Sequence, residues 1–385
     1  MDTFKLKFKS NFIFIGIVVF MLWNLIIDPD LAILSVISGI ELWFYNVMPS
    51  LFPYMIFSSM LFQLNATYLF QRIFNKPMNK IFNISGSGIL AIIMGYLSGY
   101  PLGAKLVADL RKENVISLQE SYKLLAMCSA TGPAFIIGII STQMFDNSVI
   151  IPVLLLSNYA GSLLNALVLK YLYKENIPIY TYKKCKTKSI SNILNTSIVD
   201  SINNVLKICG YMVFFNLIIL YLDARDILDL FTNFFAQYLN VFHFSGELIK
   251  GLFYGLFEIT LGINTISKCS DSLMVKVVVT AFITAWSGLS IHMQTNSFLV
   301  DTDIKYSRFF LGKLTQSILS TIIAIISYQL LYPTVLSVYN SIHVGRIFEY
   351  FNYPTYYFRS IIVLSIVTIL LGILHKKQQK TDKTL

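Results

Sequence analysis

The residues best suited to chemistry in this sequence are a few polar and charged side chains set within long apolar stretches. Glu258 is the only charged residue between Lys250 and Lys268. A carboxylate inside an apolar membrane segment costs roughly 2.5–3.5 kcal/mol on insertion scales, so such a residue usually faces the protein interior and has a function. Glu258 could couple an ion, carry a proton or hold Lys105. The alternative is a position near the membrane interface, without a special role.

A second candidate is the segment Ser98-Gly-Tyr-Pro-Leu-Gly-Ala-Lys105. Pro101 predicts a break in the helix, because proline removes a backbone hydrogen bond and clashes with the preceding turn. The free N–H groups and the positive end of a half-helix would form a site for an anionic group. Lys105 would add a full charge, or it could be an interfacial lysine whose charge reaches the headgroups without binding a ligand.

The glycines in this segment allow a second interpretation. Gly95, Gly99 and Gly103 are spaced by four residues. This spacing is also typical of a small-residue face where two helices pack closely. The two interpretations, a break that binds a ligand and a packing face, both stay open.

A third group of polar residues follows Trp286 and resembles a helix face that lines a pathway. His292, placed after Trp286-Ser-Gly-Leu-Ser290, could bind a ligand or carry a proton. A buried histidine with a purely structural role is the alternative. The predicted substrate-binding residues from all these segments are Ser98, Gly99, Tyr100, Pro101, Gly103, Lys105, Thr131, Gly132, Glu258, Thr260, Asn264, Ser287, Gly288, Ser290 and His292.

Catalytic and metal-binding patterns are missing from the sequence. It has no GxSxG, no HExxH, no dinucleotide fingerprint and no CxxC pair, and its four cysteines lie far apart. We therefore predict no enzyme activity, no cofactor, no metal site and no disulfide framework.

The composition indicates where these residues must be placed. Of the 385 residues, 55% are hydrophobic and 13% are charged, whereas a soluble protein is about one quarter charged. The chain is therefore predicted to be an integral membrane protein, which excludes a two-domain cytosolic enzyme. The net charge of +10 indicates basic cytoplasmic loops, not nucleic-acid binding, because Lys and Arg set membrane orientation.

The apolar runs predict an all-α polytopic membrane protein with about eight to ten membrane segments, some broken or re-entrant. The densest basic run, between Lys174 and Lys188, should be cytoplasmic. We divide the chain into N-terminal membrane helices, a first repeat, a basic cytoplasmic loop, a second repeat, and C-terminal helices with a basic tail. Their boundaries are 1–83, 84–175, 176–204, 205–332 and 333–385.

A weak internal repeat at an offset of about 155 to 160 residues supports this division. Gly95 matches Gly255, Ala130 matches Ala285 and Ser162 matches Ser317, with small shifts between them. The order is the same in both halves: an interrupted hairpin, an interrupted helix, then a clean span. Transporters are often built from two such halves, with the substrate site between them.

The same segments resemble a known family. Ser98-Gly-Tyr-Pro-Leu-Gly-Ala-Lys105, Thr131-Gly-Pro-Ala-Phe135, Gly255-Leu-Phe-Glu-Ile-Thr-Leu-Gly262 and Trp286-Ser-Gly-Leu-Ser-Ile-His292 are similar to segments of the YlbJ-type sporulation integral membrane proteins, also called stage V sporulation protein V. This family is grouped with proteins that contain a nucleoside-recognition or gate domain. That group looks like the concentrative nucleoside transporters.

The resemblance implies a function that the composition alone does not give. It implies a transporter in the outer forespore membrane of a spore-forming bacterium, which passes dipicolinic acid, a small aromatic dicarboxylate, during sporulation. Ser98, Lys105, Thr131 and Ser290 would then supply donors to the substrate, and the partners would be dipicolinate and the lipid bilayer. Transport of a nucleoside or another metabolite, or a non-transporting scaffold in spore assembly, are the alternatives.

Overall fold

The computed structural model describes residues 2–173, 189–239 and 244–341, and every regular element in these three stretches is helical. Residues up to Gln329 form one compact unit, and a second unit begins at Leu330. The predicted basic loop is thus described only from Ser189 onward, and the predicted C-terminal part only as far as Ser341.

Four helices come before the first repeat. They are α1 (Asp2–Ile27), α2 (Pro29–Leu42), α3 (Met48–Gln63) and α4 (Ala66–Phe82), with a π-helical turn (Trp43–Val47) between α2 and α3. The Leu31 N–H donates to the Asp28 carboxylate, and Pro29 follows at the first helical position, a combination that favours a helix start. The chain consequently bends by 108° between α1 and α2.

The first repeat consists of short, interrupted helices followed by a long one. The elements are a 3-10 turn (Gly86–Gly88), α5 (Ile89–Ser98), α6 (Leu102–Lys112), α7 (Leu118–Cys128), a π-helix (Phe135–Met144), a 3-10 turn (Ser148–Ile150) and α8 (Ile151–Leu172). The π-helix takes the place of the second part of an interrupted helix that begins with α7.

The second repeat has the same order of elements. After α9 (Ile190–Ala224) and α10 (Ile227–Leu239) come α11 (Gly246–Phe257), α12 (Ile259–Lys268), α13 (Leu273–Trp286), α14 (Gly288–Leu299) and α15 (Tyr306–Ser341). The pair α11 and α12 corresponds to α5 and α6, the pair α13 and α14 to α7 and the π-helix, and α15 to α8. The predicted fold class, two related halves built from broken helical hairpins, is confirmed.

Serine residues define where several of these helices begin. The hydroxyls of Ser117, Ser189, Ser245 and Ser272 each accept a hydrogen bond from the backbone N–H three residues later. A serine in this position satisfies one of the free donors at a helix start. The starts of α7, α9, α11 and α13 are therefore set by local sequence.

Four helices of the described residues are long and apolar enough to cross a membrane. They include α8, α9 and α15, and the fourth combines α13 with α14. Two further spans are obtained if the bent pairs α1 with α2 and α4 with α5 each count as one. This count leaves out the shorter interrupted helices, and the last predicted span, near the C-terminus, lies outside the described residues.

Candidate functional site

The first break lies between α5 and α6, where the sequence predicts it. The chain leaves the helix at Gly99, which has a φ of +88°, and Tyr100 is joined to Pro101 by a cis peptide bond. The Tyr100 N–H donates to the Ala130 carbonyl at 3.0 Å. The first break therefore lies directly against the interruption that follows α7.

The glycines around this break allow that close approach. A Cβ on Gly95 or Gly103 would lie only 2.2 or 2.3 Å from the Cys128 carbonyl oxygen, and a Cβ on Gly99 would lie 2.5 Å from the Gly132 nitrogen. No side chain fits at such distances. The glycine series is thus a packing face and also flanks a break, so the two interpretations of the spacing are compatible.

The interruption from Ser129 to Ala134 exposes backbone groups that other helices satisfy. Asn158 of α8 accepts from the Thr131 N–H at 3.3 Å and donates to the Thr131 carbonyl at 2.9 Å. The Lys313 ammonium of α15 donates to the Ser129 carbonyl at 2.7 Å. Irregular backbone at membrane depth is tolerated only when the protein satisfies it in this way.

Thr131 connects the two halves through its side chain. Its hydroxyl oxygen lies 3.0 Å from the Thr284 carbonyl and 3.0 Å from the Tyr100 hydroxyl. A carbonyl can only accept, so Thr131 donates to Thr284, and the Tyr100 hydroxyl donates to Thr131. This arrangement fixes the direction of the Tyr100 phenol.

The second hairpin is interrupted at Glu258, between α11 and α12. Glu258 has extended backbone angles, and its buried carboxylate accepts from the Leu261 N–H at 2.7 Å. The carboxylate therefore caps α12 and satisfies the Leu261 N–H at the start of that half-helix.

The fourth interruption is a sharp turn at Ser287 and Gly288, whose φ values are +81° and +74°. A Cβ on Gly288 would lie 3.0 Å from the Phe257 carbonyl oxygen, next to the Glu258 break. The Trp286 indole N–H donates to the Leu256 carbonyl at 3.1 Å. The turn between α13 and α14 is thus packed against the break between α11 and α12.

His292 is held by this turn. Its Nε2 lies 3.0 Å from the Trp286 carbonyl, and its Nδ1 lies 3.1 Å from the Tyr306 hydroxyl. The carbonyl requires Nε2 to be the donor, which leaves Nδ1 to accept from Tyr306. Both ring nitrogens are therefore occupied within the protein.

Residues of the first three interruptions, together with Ser290, Ile291 and Gln294 of α14, line one cavity. The volume that the centre of a water-sized sphere can reach inside it is about 80 Å³. At roughly 10–15 Å³ for each water, the cavity has room for several water molecules. Seven of the fifteen predicted site residues lie on its wall: Ser98, Tyr100, Thr131, Gly132, Glu258, Thr260 and Ser290. Both halves thus contribute polar groups to one place.

The other predicted residues lie outside this wall. Lys105 lines a different cavity, where its ammonium forms an ion pair with Asp109 at 2.7 Å. Asn264 is half-buried in α12, away from the wall. The remaining six, which shape or support the breaks, are Gly99, Pro101, Gly103, Ser287, Gly288 and His292.

Several residues of the site were not on the predicted list. Gln294 lies on the cavity wall and donates to the Ser290 hydroxyl at 3.2 Å. Its position four residues after Ser290 is the signal that could have added it, because such residues share a helix face. The apolar part of the wall comes from seven side chains that were not on the predicted list: Val47, Leu51, Phe135, Ile208, Met212, Ile259 and Ile291.

Lys313 is the other residue that the sequence did not single out. Its side chain is 1% exposed, and its ammonium lies 5.7 Å from the centre of the Tyr100 ring. It also donates to the Gln316 side-chain oxygen at 3.0 Å. Among the described residues no carboxylate pairs with it, and its amine lies directly behind the Tyr100 wall of the cavity.

No group of three or more metal-ligating side chains occurs in the part of the chain that the structure describes. Cys128, Cys209 and Cys269 are free thiols. The cavity is thus lined by hydroxyl, amide, carboxyl and apolar groups.

The chain is similar to one sporulation protein along most of its length. It is 27% identical over 332 residues to the sporulation integral membrane protein YlbJ of Bacillus subtilis strain 168, covering 81% of each chain. No family model matches the sequence. The match to YlbJ confirms the resemblance to the YlbJ-type proteins.

The fold is similar to that of a concentrative nucleoside transporter. A variant of CNTnw in its intermediate 1 state superposes with a TM-score of 0.50 over 83% of this chain and 85% of that chain, at 11% sequence identity. This likeness concerns the fold alone. The chain is an integral membrane protein with a transporter-like fold and a relative in sporulation.

Proposed function

We propose that the protein transports dipicolinate across the outer forespore membrane during sporulation. The observation that supports this most is that three helix interruptions, from both halves, and the start of α14 line one cavity with polar groups. A scaffold would not need a buried carboxylate and several hydroxyls at such a place, because buried polar groups in a membrane are costly.

The chemistry of the wall suits a flat ring with two carboxylates. The Ser290 hydroxyl accepts from Gln294, so its own hydrogen is left to donate to a ligand. The Thr131–Gly132 and Ser98–Tyr100 segments lie on the same wall. Tyr100 and Phe135 offer aromatic faces to the pyridine ring, and the apolar side chains exclude water around it.

The charges around the cavity suggest how an anion is accommodated. Glu258 lies on the wall, where an ionised carboxylate would repel an anionic ligand. We propose that Glu258 takes up a proton as the anion binds. The Lys313 amine lies behind Tyr100, and in its protonated form it would attract the bound anion. Transport would thereby be coupled to a proton.

Nucleoside transport is the second candidate function. The likeness to a concentrative nucleoside transporter favours it at the level of the fold. A nucleoside is neutral, and its sugar and base would bond to Gln294, Ser290 and the Glu258 carboxylate. For this substrate Glu258 would stay ionised, since a carboxylate accepts hydrogen bonds from hydroxyl groups.

Two measurements test the proposal. A deletion strain with intact dipicolinate synthesis should form spores with at most about one tenth of the normal dipicolinate content. Purified protein should melt at a higher temperature with dipicolinate than with uridine or the monocarboxylate picolinate, because only a ligand that prefers the folded state stabilises it. Normal spore dipicolinate would refute the proposed substrate, and stabilisation by uridine alone would favour the nucleoside function.

A further inference from the structure

A second cavity lies beside α6, α9 and α14, and its wall is mostly charged. The volume that the centre of a water-sized sphere can reach inside it is about 270 Å³. Lys105 and Asp109 come from α6, Asn204 and Lys207 from α9, and Ser297 from α14. Such a wall holds water, unlike the lipid-facing surface of the same helices.

This cavity continues the central one along the same helices. On α9, Asn204 and Lys207 line the charged cavity, and Ile208 and Met212 line the central cavity. On α14, Ser297 lines the charged cavity and Gln294, three residues earlier, lines the central one. At 1.5 Å per residue, these steps amount to only about 1.5–5 Å along each helix axis.

On α6 the same order holds. Tyr100, just before α6, lines the central cavity, and Lys105, in its first turn, lines the charged one. Three elements thus pass from one cavity to the other in the same sequence. The two cavities therefore follow one another along these three elements.

The charges along this route are not evenly distributed. Lys105 and Lys207 are the charged residues nearest the central cavity, whereas Asp109, Asp200 and Asp301 lie one or two turns further out. Lys105 is paired with Asp109. Lys207 has no ion-pair partner among the described residues, so it offers an uncompensated positive charge where the two cavities meet.

Contacts around the outer end show on which side of the membrane it opens. Lys112, at the end of α6, forms an ion pair at 3.2 Å with Asp301 after α14. The Lys305 N–H donates to the Tyr122 hydroxyl at 3.2 Å, and the Tyr122 ring lies 5.1 Å from that of Tyr173.

Tyr173 directly precedes the densest basic run of the chain, which begins at Lys174. Loops rich in Lys and Arg stay in the cytoplasm. The outer end of the charged cavity therefore lies on the cytoplasmic side.

We propose that the charged cavity is a cytoplasmic vestibule in which Lys207 recruits an anionic solute before it enters the central cavity. The inference rests on the proposed function for the identity of the solute as an anion. A positive charge at the inner end of a low-dielectric cleft raises the local concentration of anions and the rate of entry. Lys207 is then a recruiting residue, distinct from the groups that hold the solute in the centre.

The first test is thiol labelling, which does not depend on transport. The native cysteines are replaced by serine or alanine, and Asn204→Cys and Ser297→Cys are introduced singly. A membrane-impermeant thiol reagent should label both in inverted vesicles and neither in right-side-out vesicles. Leu206→Cys is the matched control, because Leu206 lies on the same helix but is 52% exposed on its outer surface. The Leu206→Cys variant should stay unlabelled in both vesicle preparations.

Labelling of Asn204→Cys from the extracytoplasmic side, or no faster than Leu206→Cys, would overturn the vestibule whatever the substrate is. A labelled vestibule in a protein that does not bind dipicolinate would instead refute only the proposed substrate. The two failures are therefore distinguishable.

The second test measures recruitment. Lys207→Gln should lower dipicolinate uptake at limiting concentration by about threefold to tenfold, and Lys207→Arg should retain it. The loss should shrink at high salt, since screening weakens the attraction. Lys76→Gln is the control, because Lys76 is an exposed lysine of α4 that lines neither cavity; uptake by this variant should change less than twofold. Equal losses for both variants, or a loss that salt does not alter, would refute the role of Lys207.

Discussion

At the scale of single residues, Glu258 combines a structural role with a proposed functional one. Its carboxylate caps α12 through the Leu261 N–H and also lies on the wall of the central cavity. The cap needs only an acceptor oxygen, whereas proton uptake needs an ionisable group. Substitutions can therefore separate the two roles.

We predict that Glu258→Gln folds like the wild type but no longer couples transport to protons. The glutamine oxygen can still accept from the Leu261 N–H, so the free energy of unfolding should change by less than about 1 kcal/mol. Glu258→Ala removes the cap too, which costs about 0.5–2 kcal/mol. Thermal unfolding and dipicolinate uptake at several pH values measure both effects. If Glu258→Gln kept a wild-type dependence of uptake on pH, the proposed proton site would be wrong.

The second feature at the residue scale is a pair of buried polar side chains that donate to the backbone of a helix interruption. Asn158 of α8 and Lys313 of α15 are separated by 155 positions, which is the offset of the repeat. Both donate to the backbone of the interruption after α7, between Ser129 and Thr131. Equivalent positions of the two halves thus support the same piece of irregular backbone, one with an amide and one with an amine.

At the scale of elements, the broken helices are held by glycine contacts and not by local flexibility. Gly95 and Gly103 approach the Cys128 carbonyl from the two sides of the first break. The interruption is therefore a fixed crossing of two chain segments, which keeps Tyr100 and Thr131 at hydrogen-bond distance.

We predict that Gly95→Ala prevents this crossing. The added methyl carbon would lie 2.2 Å from the Cys128 carbonyl oxygen, and backbone atoms cannot give way without moving α5 from α7. The variant should lose several kcal/mol of stability or fail to give a single folded species, measured by thermal unfolding and by size-exclusion chromatography in detergent.

Gly210→Ala is the matched control for this prediction. Gly210 is also in a helix, but nothing lies within 4 Å of a Cβ there. Alanine should be neutral or stabilising by up to about 1 kcal/mol, since it lowers the entropy of the unfolded chain. Similar melting curves for the two variants would show that the close packing at Gly95 does not contribute to the stability of the fold.

At the scale of the whole molecule, contacts between the two halves occur beside the central cavity and continue to the protein surface. Thr131 bonds to Thr284, and Asn165 donates to the Gly312 carbonyl at 2.8 Å. At the surface, Arg111 forms two hydrogen bonds with Asp303, at 2.9 and 2.8 Å. These last contacts connect the end of α6 to the loop after α14.

We predict a small, pH-dependent contribution from the Arg111–Asp303 pair. The two hydrogen bonds from the guanidinium lower the pKa of the Asp303 carboxyl. The stabilisation is therefore complete above the ordinary aspartate pKa near 4 and is lost as the pH falls through the lowered value. Because the carboxylate is half exposed, Asp303→Asn should cost no more than about 1 kcal/mol at pH 7.

Unfolding of Asp303→Asn and wild type at pH 7 and near pH 3 checks this prediction. The difference between them should be smaller at the lower pH and should also shrink at high salt. Asp301→Asn is the control, since the Lys112–Asp301 pair is more exposed and should contribute less. A difference that is the same at both pH values would assign the loss to something other than the charge.

The sequence by itself was sufficient to predict the membrane class, the helical repeat and the places where helices break. Glycine, proline and a lone carboxylate act locally, through backbone conformation and the cost of a charge in an apolar run, so their effects are visible without partners. This holds for the break at Gly99 and Pro101, whereas Glu258 was predicted as an intramembrane carboxylate and not as the position of a break. The resemblance to the YlbJ-type proteins came from the same segments.

Only the tertiary structure decided which polar residues share a cavity. Asn158 and Lys313 lie in long apolar runs whose hydropathy they hardly change, and their partners are 27 and 184 residues away. Lys105 follows the first break in sequence, but the direction of α6 carries it to the charged cavity and Asp109. Contacts of this kind depend on how helices from distant parts of the chain pack. The local spacing of residues does not specify that packing.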